Sequence, residues 1–391
     1  MSFRSKEITE SLIIPKGLSD MLPSSEKVDS GAFSRLLDDN KVVASYKMYW
    51  LLGILDEVST GKKEIPFKNL IARMIVYAWY PTLQFKLNFG VFDNLKKPIN
   101  YIALKYKFKS NCNEKDLFEF IVKSDDKELK MMIRELTYNV PYRLISPFFS
   151  EKLRGVKNHE KNNIIVEESL KSSLCLYKII KEDENKIVIN DGWDEYLKDN
   201  YRIIKCWIYY KLVCFLQKRN PNTPAIAFKL ETPKKEKLLK PRKIWKEIIV
   251  EDKVNDIYTD REFSNENFQK YGVLSIDHFI PWSFVLHDEM WNLAPTFKNV
   301  NSSKSDKLLY FNDCINDFSR IQYRAFRYLC LKNKAHELED YMNILNVDNP
   351  CEYYRYSDES DFQDKLKKNI SPLYQIAENQ GFEVIRKQYL L

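Results

Sequence analysis

The sequence predicts a mainly α-helical protein that also contains a small α+β unit, and three observations lead to this prediction. Long apolar runs near the start of the chain are typical of buried helices rather than strands. Two short apolar runs that flank a charged turn indicate a β-hairpin. Residues 274–309 follow the order strand, loop, strand, helix. We therefore expect a helical N-terminal domain with a β-hairpin, a compact ββα unit and a helical C-terminal segment.

The N-terminal half holds the segments that predict the helical domain. Residues 42–58 and 65–80 are apolar on more than one face, as buried helices are, and Pro81 is expected to end the second helix. Three further elements are expected in order along the chain: two short amphipathic helices within 114–136, a hairpin over 173–190 and one long helix over 193–216.

A change of composition divides the chain, which at 391 residues is too long for one ordinary core. Residues 219–224 are rich in turn-forming residues and predict a domain boundary. We expect a mostly helical domain over 1–220 that recognises a substrate or docks a partner protein. A second domain with a basic lead-in is expected over 221–315, and a helical C-terminal extension over 316–391.

Composition excludes several classes of protein. Seven scattered cysteines, with no Cys-x-x-Cys pair, argue against a disulfide framework and a zinc ribbon. Only nine glycines are present, so a glycine-rich phosphate loop is not expected. The N-terminus lacks the pattern of a signal peptide, and no apolar run approaches the roughly 20 residues of a membrane span. We expect a soluble, cytoplasmic protein with no membrane partner.

A basic segment precedes the ββα unit. Residues 229–246 carry eight lysines and arginines against two glutamates, whereas the whole chain has a net charge of only +7. Such a run is often a solvated surface, but its position makes phosphate binding an equally good interpretation. The residues expected to contact nucleic acid here are Lys234, Lys235, Lys237, Arg242 and Lys243.

The ββα unit holds the residue types that phosphodiester hydrolysis requires. His278 can act as a general base that takes the proton of the attacking water. Asp277 and the amide oxygen of Asn301 can provide oxygen ligands for a hard divalent cation. Neighbouring residues on a strand point to opposite faces, so Asp277 and His278 can share a site only if the strand bends or ends there. Asn292 is expected to bond to the backbone near His278 and to orient the imidazole.

The end of the same unit is expected to contact phosphate. A helix is predicted to begin at Ser302 or Ser303, because serine is a favoured N-cap residue. The N-terminus of a helix favours an anion, and Lys304 would lie close to it. Lys307, in the same segment, is also expected to bind nucleic acid.

The residues that carry a resemblance to a known family are Asp277, His278, Pro281, Asn292, Asn301, Lys304, Ser305 and Asp306. Their spacing resembles the HNH endonucleases, which share a ββα-metal fold. It is most similar to the Asn-ending branch found as the HNH domain of RNA-guided CRISPR effectors. The rest of the chain does not resemble the other lobes of such effectors, which indicates a standalone bacterial HNH protein.

The resemblance implies a role for each residue of the motif. Asp277 and Asn301 would bind Mg²⁺, for which Mn²⁺ can substitute. His278 would be the general base and Asn292 a structural residue. No zinc is expected, because Ile257 stands where many members carry a cysteine for a structural zinc site.

Two functions stay open at this point. The first is a metal-dependent endonuclease that cleaves nucleic acid, DNA rather than RNA, in defence against phage. The alternative is a nucleic-acid-binding subunit of a larger complex that does not cleave. The remaining histidines, His159, His287 and His336, are expected at the surface. The oligomeric state is left open.

Overall fold

The computed structural model describes residues 22–38, 42–182, 184–231 and 238–390. The chain divides into two units, and the division passes through the turn-rich stretch 219–224. Unit 1 contains Met1–Pro221 and Lys229–Thr232, and unit 2 contains Asn222–Phe228 and Pro233–Leu391.

Unit 1 is a helical unit with one small sheet. Its helices are α1 (Ser30–Ser34), α2 (Tyr46–Ser59), α3 (Phe67–Leu83), α4 (Lys96–Tyr106), α5 (Glu114–Lys123), α6 (Lys127–Leu136), α7 (Val140–Arg143), α8 (Lys161–Lys171), α9 (Trp193–Asp199) and α10 (Tyr201–Arg219). Its strands are β1 (Glu64–Pro66), β2 (Tyr177–Ile180) and β3 (Lys186–Ile189). Short 3₁₀ turns lie at Arg35–Leu37 and Ser146–Phe149, and a third, Ile226–Lys229, crosses the division of the chain between the two units.

The expected hairpin is present, but its sheet is larger than the sequence predicts. β2 and β3 pair antiparallel, and β1 adds to β3 as a third strand with Ile65 opposite Ile187. The sequence predicts that residues 65 and 66 belong to the following helix. They are extended instead, and α3 begins only after Pro66. A strand of three residues has too little pattern of its own to be recognised before its partner is known.

Two helix boundaries in unit 1 also differ from the prediction. Pro81 lies inside α3, which continues to Leu83, and the hydroxyl of Thr82 donates to the carbonyl of Ala78 at 2.6 Å. The long helix expected over 193–216 is two helices that meet at Asn200. The side-chain amide of Asn200 donates to the carbonyl of Tyr196 at 2.9 Å, a local bond that competes with helix continuation.

Unit 2 contains the ββα segment and the C-terminal helices. Its helices are α11 (Leu239–Asp252), α12 (Asn265–Tyr271), α13 (Trp282–Val285), α14 (Lys298–Lys304), α15 (Phe311–Leu331), α16 (Ala335–Leu345), α17 (Pro350–Tyr356) and α18 (Glu359–Asn379). Its strands are β4 (Leu274–His278), β5 (Leu293–Phe297), β6 (Leu308–Leu309) and β7 (Val384–Ile385), and 3₁₀ turns lie at Met290–Asn292 and Lys387–Tyr389. β4 and β5 pair antiparallel, and β6 and β7 pair parallel.

One hydrophobic core runs through unit 2 from α11 to the C-terminus. The rings of Phe279, just after β4, and Phe318, on α15, stack with centroids 4.0 Å apart. The side chain of Gln322 on α15 donates to the carbonyl of Leu293 at 2.7 Å, which anchors the start of β5. The helices after residue 315 therefore support the β4–β5 pair and belong to the same packed unit.

The expectation of a mainly helical chain with small sheets is confirmed. Within the residues that the structure describes, none of the helices combines the length and apolar character that crossing a bilayer would need.

Candidate active site

The β4–β5 pair presents the aspartate and histidine of the sequence motif. Asp277 lies opposite Ala294, and His278 lies opposite Leu293 at the last position of β4. Because the strand ends at His278, this residue is not held to the strict alternation of strand side chains. Asp277 is buried and His278 is only partly buried. Both side chains line one cavity of about 280 Å³.

Asn292 holds the chain that leaves β4. Its side chain accepts a hydrogen bond from the backbone N–H of Ile280 at 2.8 Å and donates to the carbonyl of Ile280 at 2.9 Å. Its own carbonyl accepts from the N–H of Phe279 at 2.8 Å. Asn292 is fully buried, and these three bonds fix the backbone next to His278.

Asn301 lies inside α14 and also lines the cavity. Its amide nitrogen donates to the hydroxyl of Ser275 at 2.8 Å and to the carbonyl of Ile276 at 3.0 Å. A backbone carbonyl can only accept, so the nitrogen of the amide must face β4. The two bonds use both N–H groups, and the amide oxygen is the atom suited to a cation in the cavity.

The carboxylate of Asp277 is anchored through one of its oxygens. Oδ2 accepts from the hydroxyl of Tyr258 at 2.6 Å and lies 2.9 Å from the ammonium of Lys304. The other oxygen, Oδ1, gives the carboxylate a second position for a ligand in the cavity. Burial raises the pKa of Tyr258, which keeps its hydroxyl protonated and able to donate.

The helix of the ββα unit, α14, starts earlier than the sequence predicts. The predicted position of Lys304 near its N-terminus is therefore wrong. α14 begins at Lys298, directly after β5, so Ser302 and Ser303 lie inside it and Lys304 is its last residue. Ser305 ends the helix with a φ of 50°, a conformation that L-residues rarely adopt. Lys304 is buried, and its ammonium donates to the carbonyl of His278 at 2.7 Å. It therefore serves the interior of the ββα unit rather than a phosphate at a helix N-terminus.

Two buried residues upstream of β4 were not identified from the sequence as functional. Tyr258 and Asp256 lie in the turn before α12, and both are buried. Asp256 accepts from the hydroxyl of Thr259 at 2.6 Å, and burial raises the pKa of Asp256 to about 6. The only indication of Asp256 and Tyr258 in the sequence was their position just upstream of the motif.

A third missed residue, Asp288, contacts His278. Oδ1 of Asp288 lies 2.7 Å from Nε2 of His278, and both side chains line the cavity. Asp288 belongs to the loop between α13 and the 3₁₀ turn before β5, ten residues after His278. Loop residues have no periodicity that could indicate where their side chains lie, so the sequence offered no signal for this contact.

The other histidines differ in exposure. The side chains of His159 and His336 are 75% and 79% exposed, as expected. His287 was expected at the surface, but its side chain is only 33% exposed and its ring centroid lies 5.5 Å from that of Trp291. Burial lowers the pKa of His287, which favours its neutral form. His287 is less exposed than expected because its loop packs the imidazole against the ring of Trp291.

The other residues expected to bind nucleic acid have mixed placements. Lys307 is partly exposed, with its ammonium 3.5 Å from Glu383. On α11, Lys243 is exposed and Arg242 is half-buried. Leu238, the residue before α11, lines the cavity, so the basic first half of this helix begins beside it. Lys234, Lys235 and Lys237 lie outside the described residues.

The donors in the cavity fit a hard divalent cation. Over the described ranges, no group of three or more histidine, cysteine, aspartate or glutamate side chains is arranged to hold a metal. Asp277 and Asn301 instead offer a carboxylate and an amide oxygen. Mg²⁺ in proteins is commonly held by one or two carboxylates and keeps several waters, for which the cavity has room.

Comparison with protein families identifies this part of the chain. Residues 256–310 match a family model described as HNH endonuclease. This stretch contains β4, β5 and α14 with every residue of the motif, so the chain carries an HNH endonuclease domain. Comparison with curated proteins and with solved structures finds no match.

Proposed function

We propose that this protein is a metal-dependent endonuclease that hydrolyses phosphodiester bonds of nucleic acid. The observation that carries the proposal is that one cavity of the HNH domain joins His278 to two oxygen donors, Asp277 and Asn301. A general base and a hard cation are the two components that activate a water and relieve the charge of a phosphodiester in hydrolysis.

His278 takes the proton from the water that attacks the phosphorus. Asn292 holds the backbone after β4 in place through both of its bonds to Ile280, and so keeps the imidazole at the cavity. A base that is held in this way does not have to be oriented during the reaction, which lowers the entropic part of the activation barrier.

Asp277 and Asn301 would hold Mg²⁺, for which Mn²⁺ can substitute. When bound, the ion neutralises charge on the phosphate and stabilises the leaving oxygen. Tyr258 and Lys304 keep Oδ2 of Asp277 in a fixed position, and the bonds from Asn301 to β4 turn its amide oxygen away from the strand. These contacts orient both ligands in the metal-free protein.

Nucleic acid, and DNA rather than RNA, is the proposed substrate. The first half of α11, with Arg242 and Lys243, provides positive charge on an element that starts at the cavity. The Asn-ending motif supports a relation to the HNH domains of RNA-guided effectors, here in a standalone bacterial protein that acts in defence against phage. We further propose that the helical region 1–220 selects the substrate or docks a partner, that 221–315 is the nuclease domain and that 316–391 extends it.

A second function has one specific observation in its favour. Lys304 already neutralises Asp277, so the carboxylate is not left unpaired when no metal is bound. This arrangement also suits a domain that binds nucleic acid as a subunit of a larger complex and does not cleave it. The intact set of His278, Asp277 and Asn301 favours the enzyme, because binding alone requires no general base.

The experiment that separates the two functions is a plasmid-cleavage assay with Mg²⁺ or with EDTA. We expect nicking or linearisation by the wild-type chain only with the metal, and none by His278→Ala. Retarded migration of the plasmid without strand cleavage, at any concentration of Mg²⁺ or Mn²⁺, would favour the binding subunit. The same assay on single-stranded RNA tests the choice of substrate.

A further inference from the structure

Asp288 faces the histidine of the candidate site from a different loop. Its Oδ1 lies 2.7 Å from Nε2 of His278, and the two side chains are 31% and 14% exposed. This distance is that of a strong, charge-assisted hydrogen bond. The family role of the motif residues does not include this aspartate, and no part of the function proposed above uses it.

The loop that carries Asp288 is held at both ends. Leu286, with a φ of 58°, ends α13 just before it. After it, the N–H of Met290 donates to the carboxylate of Asp340 on α16 at 2.9 Å. The N–H of Asn292 donates to the carbonyl of Glu289 at 3.0 Å. The carboxylate of Asp288 therefore belongs to a loop whose backbone is fixed on both sides of this residue.

The chemistry of the pair decides which imidazole nitrogen is basic. A neutral imidazole has one N–H donor and one lone pair, and an ionised carboxylate can only accept. Facing Asp288, Nε2 must carry the hydrogen, and the lone pair then lies on Nδ1. The tautomer of a histidine is commonly set in this way by the bond that its other nitrogen makes.

We propose that Asp288 is a positioning residue that holds His278 in the Nε2–H tautomer, so that Nδ1 is the atom that accepts the proton of the attacking water. This inference rests on the proposed role of His278 as general base. In the step itself the O–H bond of water breaks as Nδ1 takes that proton, and the water oxygen forms a bond to phosphorus. The bond from phosphorus to the leaving oxygen breaks, and that oxygen takes a proton from solvent to leave as a hydroxyl group. The negative charge of Asp288 also stabilises the imidazolium that results.

The competing assignment is that Asp288 is a third oxygen ligand of the metal. Both roles need a carboxylate at the cavity, but they differ in what its removal changes. A ligand contributes to metal affinity, whereas a positioning residue changes the tautomer of His278 and the turnover number. The experiment must therefore measure these quantities separately.

The first measurement is the tautomer, read from the ¹⁵N chemical shifts of the imidazoles in the metal-free full-length chain. The sequence has four histidines, and His278→Gln assigns the signal of His278 by its loss. We expect the Nε2–H form in the wild type and a mixture in Asp288→Ala. Asp288→Asn should keep the wild-type tautomer if its amide oxygen takes the place of the carboxylate oxygen.

Glu289→Gln is the matched control, because Glu289 is a carboxylate in the same loop. Its Oε2 lies 3.8 Å from Nδ1 of His287 and accepts a hydrogen bond from the indole N–H of Trp291. The amide oxygen of a glutamine can accept the same bond. This variant should leave the tautomer of His278 unchanged. A tautomer that is the same in Asp288→Ala as in the wild type would overturn the proposal.

The second measurement is the division between turnover and binding. In Asp288→Ala we expect kcat to fall by up to about 10⁴-fold, the loss seen when the carboxylate that fixes the tautomer of a general-base histidine is removed. The affinity for Mn²⁺, by calorimetry, and for a DNA duplex should stay within about twofold of the wild type. A large loss of Mn²⁺ affinity in Asp288→Ala and Asp288→Asn would assign Asp288 to the metal instead. A wild-type chain that does not cleave would overturn the proposed function, whatever the tautomer shows.

Discussion

The ammonium of Lys304 lies 2.9 Å from Oδ2 of Asp277, although their side chains are only 1% and 5% exposed. Removing two charges from water is unfavourable unless further hydrogen bonds complete their coordination. Here the hydroxyl of Tyr258 donates to the same oxygen of Asp277, and Lys304 also donates to the carbonyl of His278. The pair joins the end of α14 to the end of β4 and holds the ββα unit together at the cavity.

Removal of Lys304 should destabilise the protein because it leaves the buried charge of Asp277 without its partner. We expect Lys304→Met to lower the free energy of unfolding in urea by about 3–5 kcal/mol in metal-free buffer. The double variant Asp277→Asn, Lys304→Met should recover much of this loss, because no buried charge remains. Lys307→Met, at a partly exposed lysine, is the control. A loss of less than about 1 kcal/mol in the single variant would show that the pair does not exist in solution.

Replacement of the proposed base should abolish cleavage and leave binding intact. We expect His278→Ala to lose roughly 10²–10⁴-fold in turnover, the usual contribution of general base catalysis. Circular dichroism and the affinity for DNA should match the wild type, since the side chain is not part of the hydrophobic core. His336→Ala, at an exposed histidine of the same unit, is the matched control. Turnover by His278→Ala at the wild-type rate would exclude this residue as the base.

Metal binding should depend on the two oxygen donors of the cavity. We expect activity with Mg²⁺ or Mn²⁺, loss of activity in EDTA, and no recovery with Zn²⁺ alone, because hard ions prefer oxygen ligands. Asp277→Ala and Asn301→Ala should each weaken Mn²⁺ binding in calorimetric titrations. Asp306→Asn tests whether a further carboxylate at the same cavity contributes. Wild-type titration curves for both ligand variants would contradict the assignment.

The basic first half of α11 should contribute affinity for nucleic acid without sequence preference. Each lysine that contacts a phosphate releases counterions, so it adds about 0.9 to the slope of log affinity against log salt. We expect Lys243→Gln with Lys246→Gln on α11, where both residues are exposed, to reduce this slope by about 2. The same change at Lys367 and Lys368 on α18 removes equal charge and should leave the slope unchanged. If both double variants had the same slope of log affinity against log salt, the lysines of α11 would belong to an ordinary solvated surface that does not contact phosphate.

The buried carboxyl of Asp256 should make stability depend on pH. Burial raises its pKa from 3.8 to about 6, so the folded chain keeps this proton where the unfolded chain has lost it. This contribution to stability is fully present below pH 3.8 and is lost as the pH rises through about 6. A change from 3.8 to about 6 corresponds to roughly 3 kcal/mol.

Urea unfolding in EDTA between pH 4 and 7, of wild type and Asp256→Asn, measures this effect. The wild type should lose stability relative to Asp256→Asn as the pH rises toward ~6, and the difference should then stay constant. Asp348→Asn, at an exposed aspartate, is the control. A difference that does not vary with pH would mean that Asp256 ionises alike in the folded and unfolded chains.

The sequence by itself determined those features that depend on neighbours along the chain. Apolar periodicity predicted helices near 42–58 and 114–136, and the charged turn between two apolar runs predicted the hairpin of β2 and β3. The spacing of Asp277, His278 and Asn301 indicated the HNH domain, which the family match confirms. These residues could be found because the chemistry of the domain requires particular side chains at fixed intervals.

Only the tertiary structure decided which side chains meet across longer intervals. Lys304 contacts a residue 27 positions earlier, and its burial follows from α14 starting at Lys298, which no cap residue in the sequence indicated. Asp288 reaches His278 because its loop is bonded to α16, and Tyr258 reaches Asp277 from the turn before α12. Local sequence constrains local conformation, whereas contacts between distant residues depend on how the helices of unit 2 pack around the β4–β5 pair. For this reason the residues of the motif could be found from the sequence, but the residues that hold them in place could not.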